Sequence, residues 1–149
     1  MRTILFAFLL VGPIAFAQED PFIVRADTSW PRFSAQLAHF DSLYASSGDF
    51  FSPDSIGEAW YNHFLPVLLA RLDSVQLPWK DTIHVWFRVY CLPSGEIEHA
   101  IYSSSQLYGT STAGIFETEF AAFVRTTPFP LQAAKRYSQC GSFRFPHTK

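Results

Sequence analysis

At residue 83 the chain changes its hydrophobic period, and that change constrains the fold more than any other feature. From Ile83 to Tyr90 the residues alternate strictly, with Ile83, Val85, Phe87 and Val89 on one parity and His84, Trp86, Arg88 and Tyr90 on the other. A period of two sends successive side chains to opposite faces of an extended backbone, and β-branched and aromatic residues favour it. The run therefore predicts a strand with one fully apolar face. Leu92-Pro93-Ser94-Gly95 follows with turn chemistry, Gly95 being free to take a positive φ, and alternation resumes from Glu96 to Ser103 through Ile97, His99 and Ile101. Strand, turn and strand read as a hairpin.

Upstream the period is helical. Ser29 offers a cap, Pro31 lies near the first turn, and Phe33, Leu37, Phe40 and Tyr44 recur every three or four residues until the polar cluster Ser46-Ser47-Gly48-Asp49. Ser52 is a second cap, with Pro53 at the first helical position and Ile56, Trp60, Phe64, Leu68 and Leu72 on one face. Pro66 lacks the N–H an inner helical residue donates, so a kink is expected there. Downstream of the hairpin, Phe116, Phe120, Phe123 and Val124 predict a third helix over roughly residues 113–125, capped by Ser111 or Thr112 and stopped by Thr127-Pro128-Phe129-Pro130. Arg136 to Phe145 closes the chain as a last strand, with Gly141, Phe143 and Phe145 on one parity. The order of elements predicts an α+β fold: a small three-stranded antiparallel sheet in the order second, first, last, with a crossing helix, preceded by two N-terminal helices.

With 149 residues, 48% of them hydrophobic and 16% charged, the chain has the makings of one packed core and is too apolar for a disordered segment. Its net charge of −2, with no basic run, lacks the footprint of a nucleic-acid binder. Arg2, the apolar stretch Ile4 to Val11 and the small residues of Ala15-Phe16-Ala17 read as a cleavable signal peptide, residues 1–17. Gly12 and Pro13 cut that stretch short of the ~20 residues a spanning helix needs. The expected organisation is a signal at 1–17, a helical region at 18–79 and a second domain at 80–149. The expected location is periplasmic or secreted, with no stable membrane span after cleavage.

The segment from about 80 to 146 resembles the C-terminal domain of TonB and its relatives in Gram-negative envelopes. The residues that carry the resemblance are Val85-Trp86-Phe87-Arg88-Val89, Ser94-Gly95-Glu96-Ile97, Ile101-Tyr102-Ser103-Ser104, Phe116-Glu117-Thr118-Glu119-Phe120 with Ala121-Ala122-Phe123, Thr127-Pro128-Phe129-Pro130 and Phe143-Arg144-Phe145. The resemblance implies a non-enzymatic module that binds a short peptide of an outer-membrane transporter as a strand added beside its own last strand. Such addition satisfies the unpaired N–H and C=O groups of an edge. On that reading the partner-binding residues are Tyr137, Gln139 and Ser142 through their backbones and Arg144 through its charge. The chain departs from the family in having a cleavable signal and helical residues before the domain, where TonB has an uncleaved anchor and a Pro-rich spacer. It also lacks the family's tyrosine-proline pair near the domain start.

No constellation for catalysis, metal or cofactor competes with this. The histidines 39, 63, 84, 99 and 147 are scattered; parity puts His84 with Trp86 and Arg88 and puts His99 on the other side with Ile97 and Ile101. Ser103-Ser104-Ser105 has no nucleophile elbow, and Glu117 and Glu119 point to different sides of a helix, Glu119 toward solvent. The stripe Trp86, Arg88, Tyr90 is either a binding surface or the seat of the two N-terminal helices. Cys91 and Cys140 are an even pair in an exported chain, so a disulfide is open to them; parity sets them on opposite faces unless a bulge near Gly141 intervenes. A second reading makes the chain a structural component of an envelope assembly, touching partners through the N-terminal helices.

Overall fold

A computed structural model describes residues 23–25, 30–77, 81–107 and 109–145. The signal-peptide segment, the proposed Ser29 cap and His147 lie outside the described residues. The elements are β1 (Ile23–Arg25), α1 (Trp30–Leu43), β2 (Ala45–Ser46), α2 (Pro53–Glu58), a π-helical segment Ala59–Phe64, α3 (Leu65–Ser74), β3 (Ile83–Cys91), β4 (Ile97–Ser103), α4 (Ser111–Thr126) and β5 (Tyr137–Phe145).

The strands form one five-stranded mixed sheet in the order β1-β4-β3-β5-β2. This corrects the three-stranded antiparallel sheet expected from the alternating runs. β3 is flanked antiparallel by β4 and β5, and each of those is flanked in turn by a short parallel strand: β1 beside Ala100 to Tyr102 of β4, and β2 beside Tyr137 and Ser138 of β5. Both added strands come from the region before residue 80, which thus contributes to the same sheet as β3, β4 and β5. β1 and β2 are three and two residues long, too short for any period to register. The cluster around Ser46 and Ser47 was expected to be only a helix-ending loop.

The parity of β3 decides what packs on each face. Ile83, Val85, Phe87, Val89 and Cys91 are buried beneath α3 and α4, where Phe87 meets Phe120 with ring centroids 4.9 Å apart and Phe64 meets Phe123 at 4.8 Å. Trp60 joins that core against Phe129 at 4.9 Å and Phe143 at 4.8 Å. The other face carries Trp86, Arg88 and Tyr90, and it seats α1. Phe40 lies 5.0 Å from Tyr90 and 4.6 Å from His99, while Asp41 pairs with Arg88 at 2.7 Å and accepts the Tyr90 hydroxyl at 3.2 Å. The two N-terminal helices thus take opposite faces, where a shared seat had been one of the two expectations.

Several local features follow the sequence. Ser52 caps α2 by accepting from Ser55 N–H, and Thr110 caps α4, one residue earlier than expected, by accepting from Ala113 N–H. Pro66 does not break the helix. The preceding turn widens to the π form, with Leu65 N–H donating to the Trp60 carbonyl five residues back, which makes room for a ring that clashes in an α turn. Gly95 sits at φ +89°, and a Cβ there would fall 2.2 Å from the Phe129 carbonyl oxygen. Phe129 N–H in return donates to the Gly95 carbonyl at 2.8 Å, so the hairpin tip is clamped to the segment after α4. A β-bulge between Tyr90 and Cys91 shifts the register, so Ile97 pairs with Cys91 while His99 faces Tyr90. His99 therefore shares a face with His84, contrary to the simple count.

Candidate functional site

The last strand was expected to be a free margin along its whole length; the structure closes one end of it, and among the described residues no strand covers the other. In an antiparallel ladder both polar groups of a residue point to the same side and successive residues alternate. On β5 the outward set is fixed by Ala45 N–H, which donates to the Arg136 carbonyl at 3.1 Å from the outer side. Ser138, Cys140, Ser142 and Arg144 consequently direct N–H and C=O outward, whereas Tyr137, Gln139, Gly141, Phe143 and Phe145 direct theirs to β3. The far side of β3 agrees, since His84 N–H leaves the β5 side and donates to Gln106 Oε1 at 2.6 Å.

Of the outward groups, β2 pairs only those at the Ser138 end. Past Ser46 the chain turns into a 3-10 helix, Ser47–Asp49, whose first carbonyl accepts from Phe50 and Phe51 N–H instead of from the strand. Ser47 Oγ donates to Gln139 Oε1, and Gln139 Nε2 donates to the Cys140 carbonyl at 2.6 Å. Among the described residues no strand lies beside Cys140, Ser142 and Arg144.

Beside this open stretch runs a groove of about 440 Å³. Its helical wall is Tyr61, Leu65, Pro66 and Leu69, and its strand wall is Ser142, Phe143, Arg144 and Phe145. The π turn places the helical wall, because it holds Trp60 and Phe64 in the core while leaving Tyr61 65% exposed at the rim. The strand wall depends on Gly141: a Cβ there would fall 2.4 Å from the ring of Phe143, which folds back over the glycine against Trp60. Gly141 does not bulge the strand. It sits in regular register with Phe87.

The predicted partner-binding residues divide accordingly. Ser142 and Arg144 lie on the open edge, exposed, with outward backbones; no ion pair among the described residues involves Arg144, whereas Arg71, Arg88 and Arg136 each hold a carboxylate. Tyr137 is fully buried, its hydroxyl donating to the Leu131 carbonyl at 2.6 Å, and β2 covers its outer flank. The Gln139 backbone bonds β3, so only its side chain reaches the edge. Cys140, named from sequence only as a disulfide candidate, belongs to the open set. The groove wall was also missed, and its one sequence signal was Pro66 in a helical pattern, read as a kink.

Cys91 and Cys140 are free thiols on opposite faces, Cys91 beside Tyr137 and Cys140 beside Arg88 in the ladder, with no bulge to bring them together. Burial pushes the Cys91 thiol up to about 12. Burial likewise raises the Tyr137 hydroxyl, with the neighbouring Cys91 adding to it, and raises Tyr44 and Tyr90. Glu119, expected in solvent, pairs with Arg71 at 2.7 Å and ties α4 to α3, while Glu117 accepts the Tyr102 hydroxyl at 3.1 Å. Among the described residues no three His, Cys, Asp or Glu side chains converge as metal ligands, and no helix is long and apolar enough to cross a membrane.

Compared with known proteins, the chain matches no family model, no characterised protein and no solved structure.

Proposed function

We propose that this chain is a non-enzymatic protein-binding module of the cell envelope, exported to the periplasm or beyond, which captures an extended peptide segment by strand addition to Cys140–Arg144. The observation that supports this reading most is the coincidence of outward backbone groups that no strand pairs among the described residues with an apolar groove on the helical side of the same stretch. A strand laid there satisfies main-chain donors and acceptors through its backbone and sends alternate side chains into the groove. The groove is within the size range of sites that take several side-chain groups, roughly 300–1,000 Å³. Among the described residues that line it, Arg144 alone is charged.

A second copy of this chain fits the edge less well. Pairing β5 with itself would turn Gly141 or Phe143 of the copy toward the groove, and Phe143 is already held by Trp60 of its own core. Contact through the N-terminal helices, the alternative reading, is weakened because Phe40 and Tyr44 of α1 and its end are packed on the sheet and Trp60, Phe64 and Leu68 lie in the core.

The test is a titration of the isotope-labelled full chain with an alternating Leu-Thr octapeptide, followed by amide shifts. Strand addition predicts saturable shifts at Cys140, Ser142 and Arg144 with little change at β1. Shifts confined to α1, or none at any peptide concentration, would refute it.

A further inference from the structure

We propose that Gln139 sets the length and register of the docked strand by capping the first carbonyl of the open edge; this rests on the strand-addition reading above. The Gln139 backbone is committed to β3, but its amide turns outward. Nε2 donates to the Cys140 carbonyl at 2.6 Å, and Oε1 accepts from Ser47 Oγ at the point where β2 gives way to the 3-10 turn. The side chain is thus anchored at the end of the closed stretch and occupies the acceptor that an incoming strand would meet next.

Among the described residues, no strand pairs with the Cys140 N–H or with either polar group of Ser142 and Arg144. A guest strand can form a full rung only at the latter two. Its side chain between them then falls over the groove wall formed by Phe143 and Phe145. Without such a stop, pairing could slide by two residues along a uniform edge and place a different side chain in the groove, because register on a strand is fixed only where a face or an end is specified. Gln139 supplies the end. It also makes the edge poor for indefinite extension, a known hazard of unpaired strands.

The experiment measures binding of alternating Leu-Thr peptides of four, six and eight residues to the wild-type chain and to Gln139→Ala and Gln139→Met. Methionine keeps the bulk of glutamine but has no N–H to donate. The wild type should bind the six- and eight-residue peptides no more tightly than the shortest one that spans both rungs. Both variants should gain roughly five-fold with the longer peptides, about one net hydrogen bond, and the amide of Cys140 should shift further than in the wild type. An identical length dependence in wild type and variants overturns the role of Gln139 while leaving strand addition standing. Absence of shifts at Ser142 and Arg144 with every peptide overturns both.

Discussion

The first two residues of β5 and the last five belong to one strand, yet they meet opposite surroundings. Tyr137 and Ser138 are buried, paired with β3 on one side and β2 on the other. From Gly141 to Phe145 the inner side is just as well paired, but the outer side has no strand among the described residues and borders a groove. What differs is a two-residue piece of chain, Ala45–Ser46, and the 3-10 turn that ends it. A short parallel strand closes as much edge as it is long, and at the polar turn after it this segment leaves the ladder. The difference shows how a sheet can cover one end of a strand's outer side and leave the other end without a neighbouring strand among the described residues.

The largest effect is expected from the closed end. Tyr137→Ala removes a fully buried ring that contacts Phe51 and a hydroxyl bonded to Leu131, and should cost about 3–5 kcal/mol in denaturant unfolding. Ser142→Ala, on the open end and exposed, should stay within about 0.5 kcal/mol of wild type. Comparable losses at both positions would erase the distinction.

Alkaline pH probes the same end. Burial holds the Cys91 thiol at about 12 against an ordinary 9.0, and holds the Tyr137, Tyr90 and Tyr44 phenols above their ordinary 10.0. The folded chain then keeps protons that the unfolded chain releases, so stability is complete below about pH 9 and falls as pH rises through 12. Chemical denaturation across that range should show the decline, and Cys91→Ala should move its onset up toward pH 10. A flat profile to pH 12 would mean that these groups are not buried as described.

Proline substitutions separate inner from outer hydrogen bonds. At Gln139 the N–H serves β3, so Gln139→Pro removes a ladder bond in mid-sheet and should unfold or strongly destabilise the chain. At Ser142 the N–H points outward, so Ser142→Pro should cost about 1 kcal/mol or less and still abolish peptide binding. Thermal melts of the two variants decide this, and equal losses would reverse the assignment of outward residues. The smallest effect concerns reactivity alone. A thiol reagent should modify Cys140 rapidly in the native chain and Cys91 only after unfolding; two fast thiols, or none, would contradict the opposite-face placement.

Much of the frame was legible because long periodic runs carry their own faces. The parity of Ile83 to Tyr90 foretold which residues would meet the Phe116, Phe120 and Phe123 stripe, and the four-residue spacing of Trp60, Phe64, Leu68 and Leu72 foretold the other half of that core. The failures share a cause, since each rests on a feature shorter than a period. β1 and β2 are too brief to alternate, the bulge at Cys91 moved His99 to the face of Tyr90, and the π turn before Pro66 turned an expected kink into a groove wall. Of the site, Ser142 and Arg144 were reachable from the alternation of the last strand. Gln139 was named for its backbone, which bonds β3 while its side chain reaches the edge, and Tyr137 is covered by a strand that the sequence hides inside a serine-rich loop.

The most direct test is native-state hydrogen exchange at the outward amides of β5. Without peptide, Ser138 should exchange slowly while Cys140, Ser142 and Arg144 exchange fast, and a saturating Leu-Thr octapeptide should slow Ser142 and Arg144 to the rate of Ser138. Slow exchange at all four amides in the free chain, or no protection on adding the peptide, would contradict an open edge that receives a strand.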